Sequence, residues 1–355
     1  MTSRPRLLSR SRAAVAGLAL GLIALGGQAN AQSGTAQPGF YPEHFDPMPT
    51  QGMNLLNLGA SQVLANLKPS FGVFLQYIDN PLELVTENDE TVQSRIIKSQ
   101  VRADVWLALG IADLLDVGLA VPFVLAQDGE DLAIFNRPDQ TIDSFSLADI
   151  RLIPKIRIID GEDAGGFGLA LQATISFPTG SQEDFTSDGK IRVEPRLILD
   201  WTDYDSGFSI VANVGYHVRP KIEVHNLVID DSLTWGVGVR IPTPAEALKV
   251  VASVYGAIPF DDNVDPLTGA ATSDLRTTPI ELAAALELTV GDFVGELGGG
   301  FGLTQGFGAP DFRLFLAAGY VPRCADPDGD NICSSDDQCP DEPEDLDGFE
   351  DGDGC

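Results

Sequence analysis

The chain has 355 residues, with 52 Asp and Glu against 22 Lys and Arg, for a net charge of -30. That length covers one large barrel or two ordinary domains, and so anionic a chain is repelled by nucleic acid. The three histidines belong to no H-E-x-x-H, and neither a G-x-S-x-G nor a phosphate-cradling loop occurs, so no enzymatic activity is expected.

Arg4, Arg6, Arg10 and Arg12 precede a short apolar run, Ala13 to Leu25, and Ala29-Asn30-Ala31 follows as an A-x-A site. This pattern predicts a secretory signal peptide over 1–31, removed after Ala31. The apolar run is short for a transmembrane helix, and no later stretch approaches about 18 consecutive apolar residues. Residues 32–66, rich in Gly, Pro, Gln and Asn, read as a periplasmic lead-in. Leu55 and Leu56 fit the start of a short helix or of an inner plug, and the sequence does not choose between them.

From Leu67 the period becomes two. Phe167, Leu169, Leu171, Ala173, Ile175 and Phe177 alternate with Gly168, Ala170, Gln172, Thr174 and Ser176. Period two is the period of a strand and separates its two faces. Similar runs fall near 67–79, 96–110, 115–126, 147–159, 190–202, 207–219, 232–242, 247–259, 278–290, 293–304 and 311–322. Most exceed the usual strand of about five or six residues and match the roughly ten that a tilted strand needs to cross a bilayer.

One face is apolar throughout: Val101, Ala103, Val105, Leu107 and Leu109 in the second segment, Phe312, Leu314, Leu316, Ala318 and Tyr320 in the last. The other carries Arg102, Asp104, Asp149, Arg151, Lys155, Arg157, Arg192, Glu194, Arg196, His217, Arg219, Arg240, Glu281, Glu287, Glu296 and Arg313. Ions of both signs cannot fill an ordinary core, but they suit the lumen of a membrane barrel. Connections alternate long and short, as they must when one rim faces the exterior and the other the periplasm. These signs predict an all-β fold: an up-and-down antiparallel transmembrane β-barrel of about 12 strands over 67–322. A soluble β-sandwich also alternates, but it hides its apolar face in a core and uses shorter strands.

Residues 323–355 change character. Counting from Asp326, the acids Asp326, Asp328, Asp330 and Asp337 fall at the ligand positions of an EF-hand-like loop, with the Ile332 carbonyl between them. A second cluster holds Asp341, Asp345, Asp347, Asp351 and Asp353. Hard oxygen ligands suit Ca2+, the one cofactor expected, better than zinc. All four cysteines (Cys324, Cys333, Cys339 and Cys355) lie here, and export permits disulfides whose pairing the sequence does not choose.

The D-x-D-x-D…D-x-C-P run resembles the thrombospondin type 3 calcium repeat, with Asn331 where Gly is usual and Ser334 where Asp is usual. Barrel plus repeat is similar to the OmpA-family outer-membrane proteins. The resemblance is carried by residues 146–155, Phe177-Pro178-Thr179-Gly180 and residues 306–313. The D-x-K…P-T-G pattern also looks like transporter-type barrels associated with uptake of aromatic compounds. The resemblance implies an outer-membrane barrel surrounded by lipid, with a periplasmic calcium-binding tail. That family's peptidoglycan-binding domain has no counterpart up to Cys355, so contact with peptidoglycan would need a further domain.

Three functions follow as expectations. The leading one is a structural barrel that tethers envelope layers; the alternatives are a porin or transporter-type channel for small solutes, and a surface adhesin. Lumen charges locked in pairs would signal a plugged barrel, whereas separate positive and negative walls would signal a conducting one.

Overall fold

The computed structural model describes residues 39–85, 92–130, 132, 135, 137, 141–224, 227–260, 278–304, 306–322, 338, 339 and 342. Its strands are β1 (Pro69–Val85), β2 (Val92–Ile111), β3 (Leu115–Asp128), β4 (Ser146–Leu147), β5 (Ile150–Ile159), β6 (Phe167–Phe177), β7 (Arg192–Asp203) and β8 (Phe208–His217). They continue with β9 (Ile222–Val224), β10 (Leu227–Ile229), β11 (Ser232–Pro242), β12 (Leu248–Pro259), β13 (Ile280–Val290), β14 (Phe293–Gly302) and β15 (Phe312–Tyr320).

The wall is a closed, antiparallel ring. β1 pairs with β2 on one side and with β15 on the other, and each remaining wall strand pairs with its neighbours. β4 and β5 both pair with β3 and together form one wall strand, while β9 and β10 make a separate hairpin. The result is a twelve-stranded barrel, as expected from the periodicity. Closure leaves no sheet edge, which is the condition for strands to stand in hydrocarbon.

Register turns the alternation into a lipid-facing band. Leu286 lies opposite Leu297, Leu297 opposite Leu316, and Leu316 opposite Leu75, and all four are exposed. Aromatic rings flank the band. At the short-turn rim Phe71 stacks on Tyr320 at 5.4 Å and Tyr320 meets Phe293 at 5.5 Å. At the long-loop rim Tyr77 pairs with Phe312 at 5.9 Å and Tyr216 with Phe260 at 5.5 Å. Such girdles suit the two headgroup regions, where a ring has an apolar body and a polar surrounding.

Three local differences from the expected segments have physical causes. β1 and β2 run past the lipid band, because Leu82, Ile96 and Ile97 are buried in an apolar cluster over the long-loop rim. Residues 220–231, expected as plain loop, contain the β9–β10 hairpin, whose Ile222, Val224 and Ile229 enter the same cluster. The segment expected at 147–159 breaks between β4 and β5, where Asp149 turns to accept the Gly180 amide at 3.1 Å and the Arg192 guanidinium at 3.1 Å.

Residues 39–66, expected as a periplasmic lead-in, pack instead against the inner face of the wall. Phe45, Leu55, Leu56, Leu58 and Ala60 form one buried cluster with Phe74, Trp106, Val211, Val251, Tyr255 and Phe315 of the wall. The apolar core of this molecule therefore lies inside the barrel. The calcium expectation for Asp326, Asp328, Asp330, Ile332, Asp337, Asp345, Asp347, Asp351 and Asp353 lies outside the described residues, as do Cys324, Cys333 and Cys355. Cys339 is described and is disulfide-bonded.

Candidate functional site

The lumen is the candidate site, and the 39–66 segment is its main occupant. The segment threads the barrel from rim to rim. At the long-loop rim Phe40 packs edge-on against Phe185 and Phe307, and the Tyr41 amide donates to Asp188 at 2.7 Å. At the short-turn rim the Asn66 amide donates to Asp113 at 2.6 Å, and the Ala112 amide donates to the Asn66 side chain at 2.9 Å. Between these ends the segment joins none of the wall's ladders; its own isolated bridges, Gln51–Asn54 and Leu55–Leu58, are local.

Charged contacts hold the outer half. Arg313 donates to Glu281 at 2.8 Å, to Gln76 at 2.8 Å and to Glu43 of the segment at 3.3 Å. Arg102 reaches Asp104 at 2.7 Å and Asp46 of the segment at 2.8 Å, and it also donates to the Tyr41 hydroxyl. Arg151 bonds Asp104 at 2.7 Å and lies 3.3 Å from Asp46. Arg192 pairs with Asp149 and, with Arg219, surrounds Asp188.

Hydrogen bonds to backbone groups of the segment hold most of the inner half. Gly59 and Asn213 exchange two bonds of 2.8 Å, and Ser61 donates its amide and hydroxyl to Asp200. Arg240 donates to the Asn54 carbonyl at 2.9 Å while pairing with Glu287, and Arg196 donates to the Asn57 carbonyl at 3.1 Å while pairing with Glu194. Lys155 pairs with Asp116 at 3.3 Å.

Most of the expected lumen charges are therefore brought together on the inner face. Two stand apart. Arg157 sits at the short-turn rim, bonded to Asp160 and to the Asp113 carbonyl. Glu296 is buried directly opposite Glu287, and neither of its carboxylate oxygens has a hydrogen-bond partner among the described residues. Like charges directly opposite destabilise a sheet, so Glu296→Gln is expected to stabilise the barrel by up to about 1 kcal/mol, read as a raised urea midpoint. A lowered midpoint would show that Glu296 has a partner the structure lacks.

Parity along the strands also marks Gln76, Asp200 and Asn213 as inward; Gln76 and Asn213 carry no charge to signal it, and Asp200 is missing from the charged face expected from the sequence although its parity places it there. Tyr41, Glu43 and Asp46 carry no sequence signal, because their segment has no period.

Asp188 fastens the segment from the loop between β6 and β7. Burial alone would raise its carboxyl, but the guanidiniums of Arg219 and Arg192 outweigh it and hold it below the ordinary 3.8. A carboxyl lowered on folding contributes stability that is present at neutral pH and lost as pH falls through its folded value. Amide exchange over residues 39–46 is therefore expected to be slow at neutral pH and to quicken only below about pH 4. Asp188→Asn should make it fast at neutral pH; slow exchange in that variant would show that the loop does not hold the segment.

A cavity of about 50 Å³ remains between the segment and the wall, lined by His44, Asn57, Glu194, Arg196, His217 and Thr234 among others. It has room for a few waters, whereas a cavity that takes benzene measures about 150 Å³. In this conformation the lumen is filled and its charges are mostly paired.

A closed ring with an apolar belt outside and a charged, occupied lumen inside defines a transmembrane β-barrel. The chain belongs to the family described as putative MetA-pathway of phenol degradation, whose model matches residues 84–277. Its fold is similar to that of an outer membrane channel from Pseudomonas putida F1, at 13% identity and a TM-score of 0.54 over 75% of this chain and 99% of that one. The NanC porin aligns at 8% identity and a TM-score of 0.45 over 71% of this chain and 99% of its own. The CymD monoaromatic hydrocarbon channel aligns at 9% and 0.41 over 78% and 98%. No curated protein matches the chain in sequence.

Proposed function

We propose that the chain is an outer-membrane channel for small solutes whose closed state is held by residues 39–66. The observation that carries this reading is the attachment of the segment. It belongs to no wall sheet and is held by side-chain bonds, so it can leave while the ring of strands stays closed. The channel fold of the Pseudomonas protein supports the same reading. The family's description points to small aromatic compounds as the solute class. In this reading residues 1–31 direct export, the long loops face the exterior and the short turns face the periplasm. The tether reading rests on the acidic tail, of which only residues 338, 339 and 342 are described, and the barrel lends it no support.

Locking the segment tests the proposal. Phe45 and Phe315 stack with centroids 5.8 Å apart. With the four native cysteines replaced by serine, Phe45→Cys and Phe315→Cys joined by a short cleavable thiol crosslinker should abolish ion conductance across a planar bilayer. Cleavage should restore it. Equal conductance before and after cleavage would rule out the segment as the gate.

A further inference from the structure

Among the described residues, one charge on the wall of the lumen is balanced only by the segment. Arg102 on β2 and Arg151 on β5 converge on a single wall carboxylate, with both Nη2 atoms 2.7 Å from Asp104 Oδ1. The second carboxylate comes from the segment. Asp46 Oδ1 lies 2.8 Å from Arg102 Nη2 and 3.3 Å from Arg151 Nη1, and it accepts the Tyr41 hydroxyl at 2.8 Å. If Asp46 is withdrawn, two guanidiniums face one carboxylate. The nearby cations differ, because wall or loop carboxylates match them: Arg192 has Asp149, Arg219 has Asp188 and Arg313 has Glu281.

A second observation is independent of charge. The side chains of Arg102 and Arg151 are only 1% and 2% exposed. Yet among the described residues Arg102 Nε, Arg151 Nε and Arg151 Nη1 have no hydrogen-bond partner. Buried donors are normally satisfied, and a guanidinium presents a planar fork that a carboxylate fills with two bonds. Asp46 fills it incompletely. A free carboxylate, unconstrained by a backbone, has the freedom to engage both forks.

Resting on the channel reading, we propose that Arg102 and Arg151 form an anion subsite in the open lumen, that it takes the carboxylate of a small organic acid, and that Asp46 occupies it as an internal stand-in while the channel is closed. A neutral solute gains nothing from this site, since it leaves a buried cation uncompensated. A carboxylate supplies the missing charge. Because Asp46 is tethered, it competes at high effective concentration, so the wild-type chain should bind a free acid weakly.

The test uses the chain from Gln32 onward, folded in detergent micelles, with benzoate and phenol as probes in calorimetry. Asp46→Ala should bind benzoate at least tenfold more tightly than the wild type and more tightly than phenol. Adding Arg151→Gln should erase that gain. Asp46→Asn, which keeps the side chain's shape, should show the same order, and heat-sensitive gel mobility verifies folding of each variant. Benzoate affinity unchanged in both Asp46 variants, or a gain that survives Arg151→Gln, overturns the subsite. Binding in micelles needs no ion flow. Tight benzoate binding by a barrel that never conducts would support the subsite and overturn the channel reading, whereas conduction with indifference to benzoate would do the reverse.

Discussion

Replacing Arg313 by Ala is expected to cost about 3–5 kcal/mol of barrel stability, the loss typical of breaking a buried ion pair from one side. Arg313 is fully buried and ties together three wall strands and the segment, through Glu281 on β13, Gln76 on β1 and Glu43. Its guanidinium also lies 4.6 Å from the centre of the Phe45 ring. Without it, Glu43 and Glu281 remain buried as carboxylates, with the Tyr255 hydroxyl at 2.7 Å from Glu281 as a neutral partner. Most of the cost is therefore the penalty of stranded charge, and removing the charge on the other side should recover it. Arg313→Met combined with Glu281→Gln is expected to unfold in urea much closer to the wild type than Arg313→Ala alone. A change below about 0.5 kcal/mol in the single variant, the size typical of a surface substitution, would show that the network is not structural.

The second large effect falls on the segment rather than on the wall. Phe45 is fully buried, with Phe74, Tyr255 and Phe315 at ring distances of 5.6, 5.7 and 5.8 Å. A buried Phe cut to Ala costs about 3–5 kcal/mol. Here the lost contacts join segment to wall, while the wall's ladders stay intact. The loss should therefore appear as unseating of the segment and not as unfolding of the barrel. Every 1.4 kcal/mol is about tenfold in an equilibrium, so a loss of about 3–5 kcal/mol in Phe45→Ala is expected to raise the unseated population by roughly a hundredfold to a few thousandfold. The Gly59 amide, which donates to Asn213 across the gap, reports this as faster hydrogen exchange, while amides of β13 and β14 stay protected. Acceleration of both together would mean that segment and wall unfold as one unit.

The wall was legible in the sequence because its physics is local and periodic. Leu286, Leu297, Leu316 and Leu75 announce a lipid face by alternation alone, and register then aligns them. The same parity placed Arg102, Arg151, Arg240 and Arg313 on the inner face. Their partners were another matter. Tyr41, Glu43 and Asp46 sit in a segment without period, whose conformation is imposed by the lumen it fills. One clue existed: the inward residues chosen for their charge include more cations than carboxylates, so some counter-charge had to come from elsewhere. The extension of β1 and β2 past the membrane was hidden because it depends on an apolar cluster shared with the distant β9–β10 hairpin. The filled lumen also changes how the charge criterion reads. Paired charges were expected to mean a plugged barrel, and here part of the pairing comes from the segment itself, through Glu43 and Asp46.

The most direct measurement is single-channel conductance in a planar bilayer, comparing the chain from Gln32 onward with the same chain lacking residues 39–62, both shown to be folded by heat-sensitive gel mobility. A removable gate predicts rare or small openings for the intact chain and large, persistent steps for the shortened one. Identical silence from both, with the barrel folded and inserted, would contradict the account, because a lumen emptied of its occupant would still carry no current.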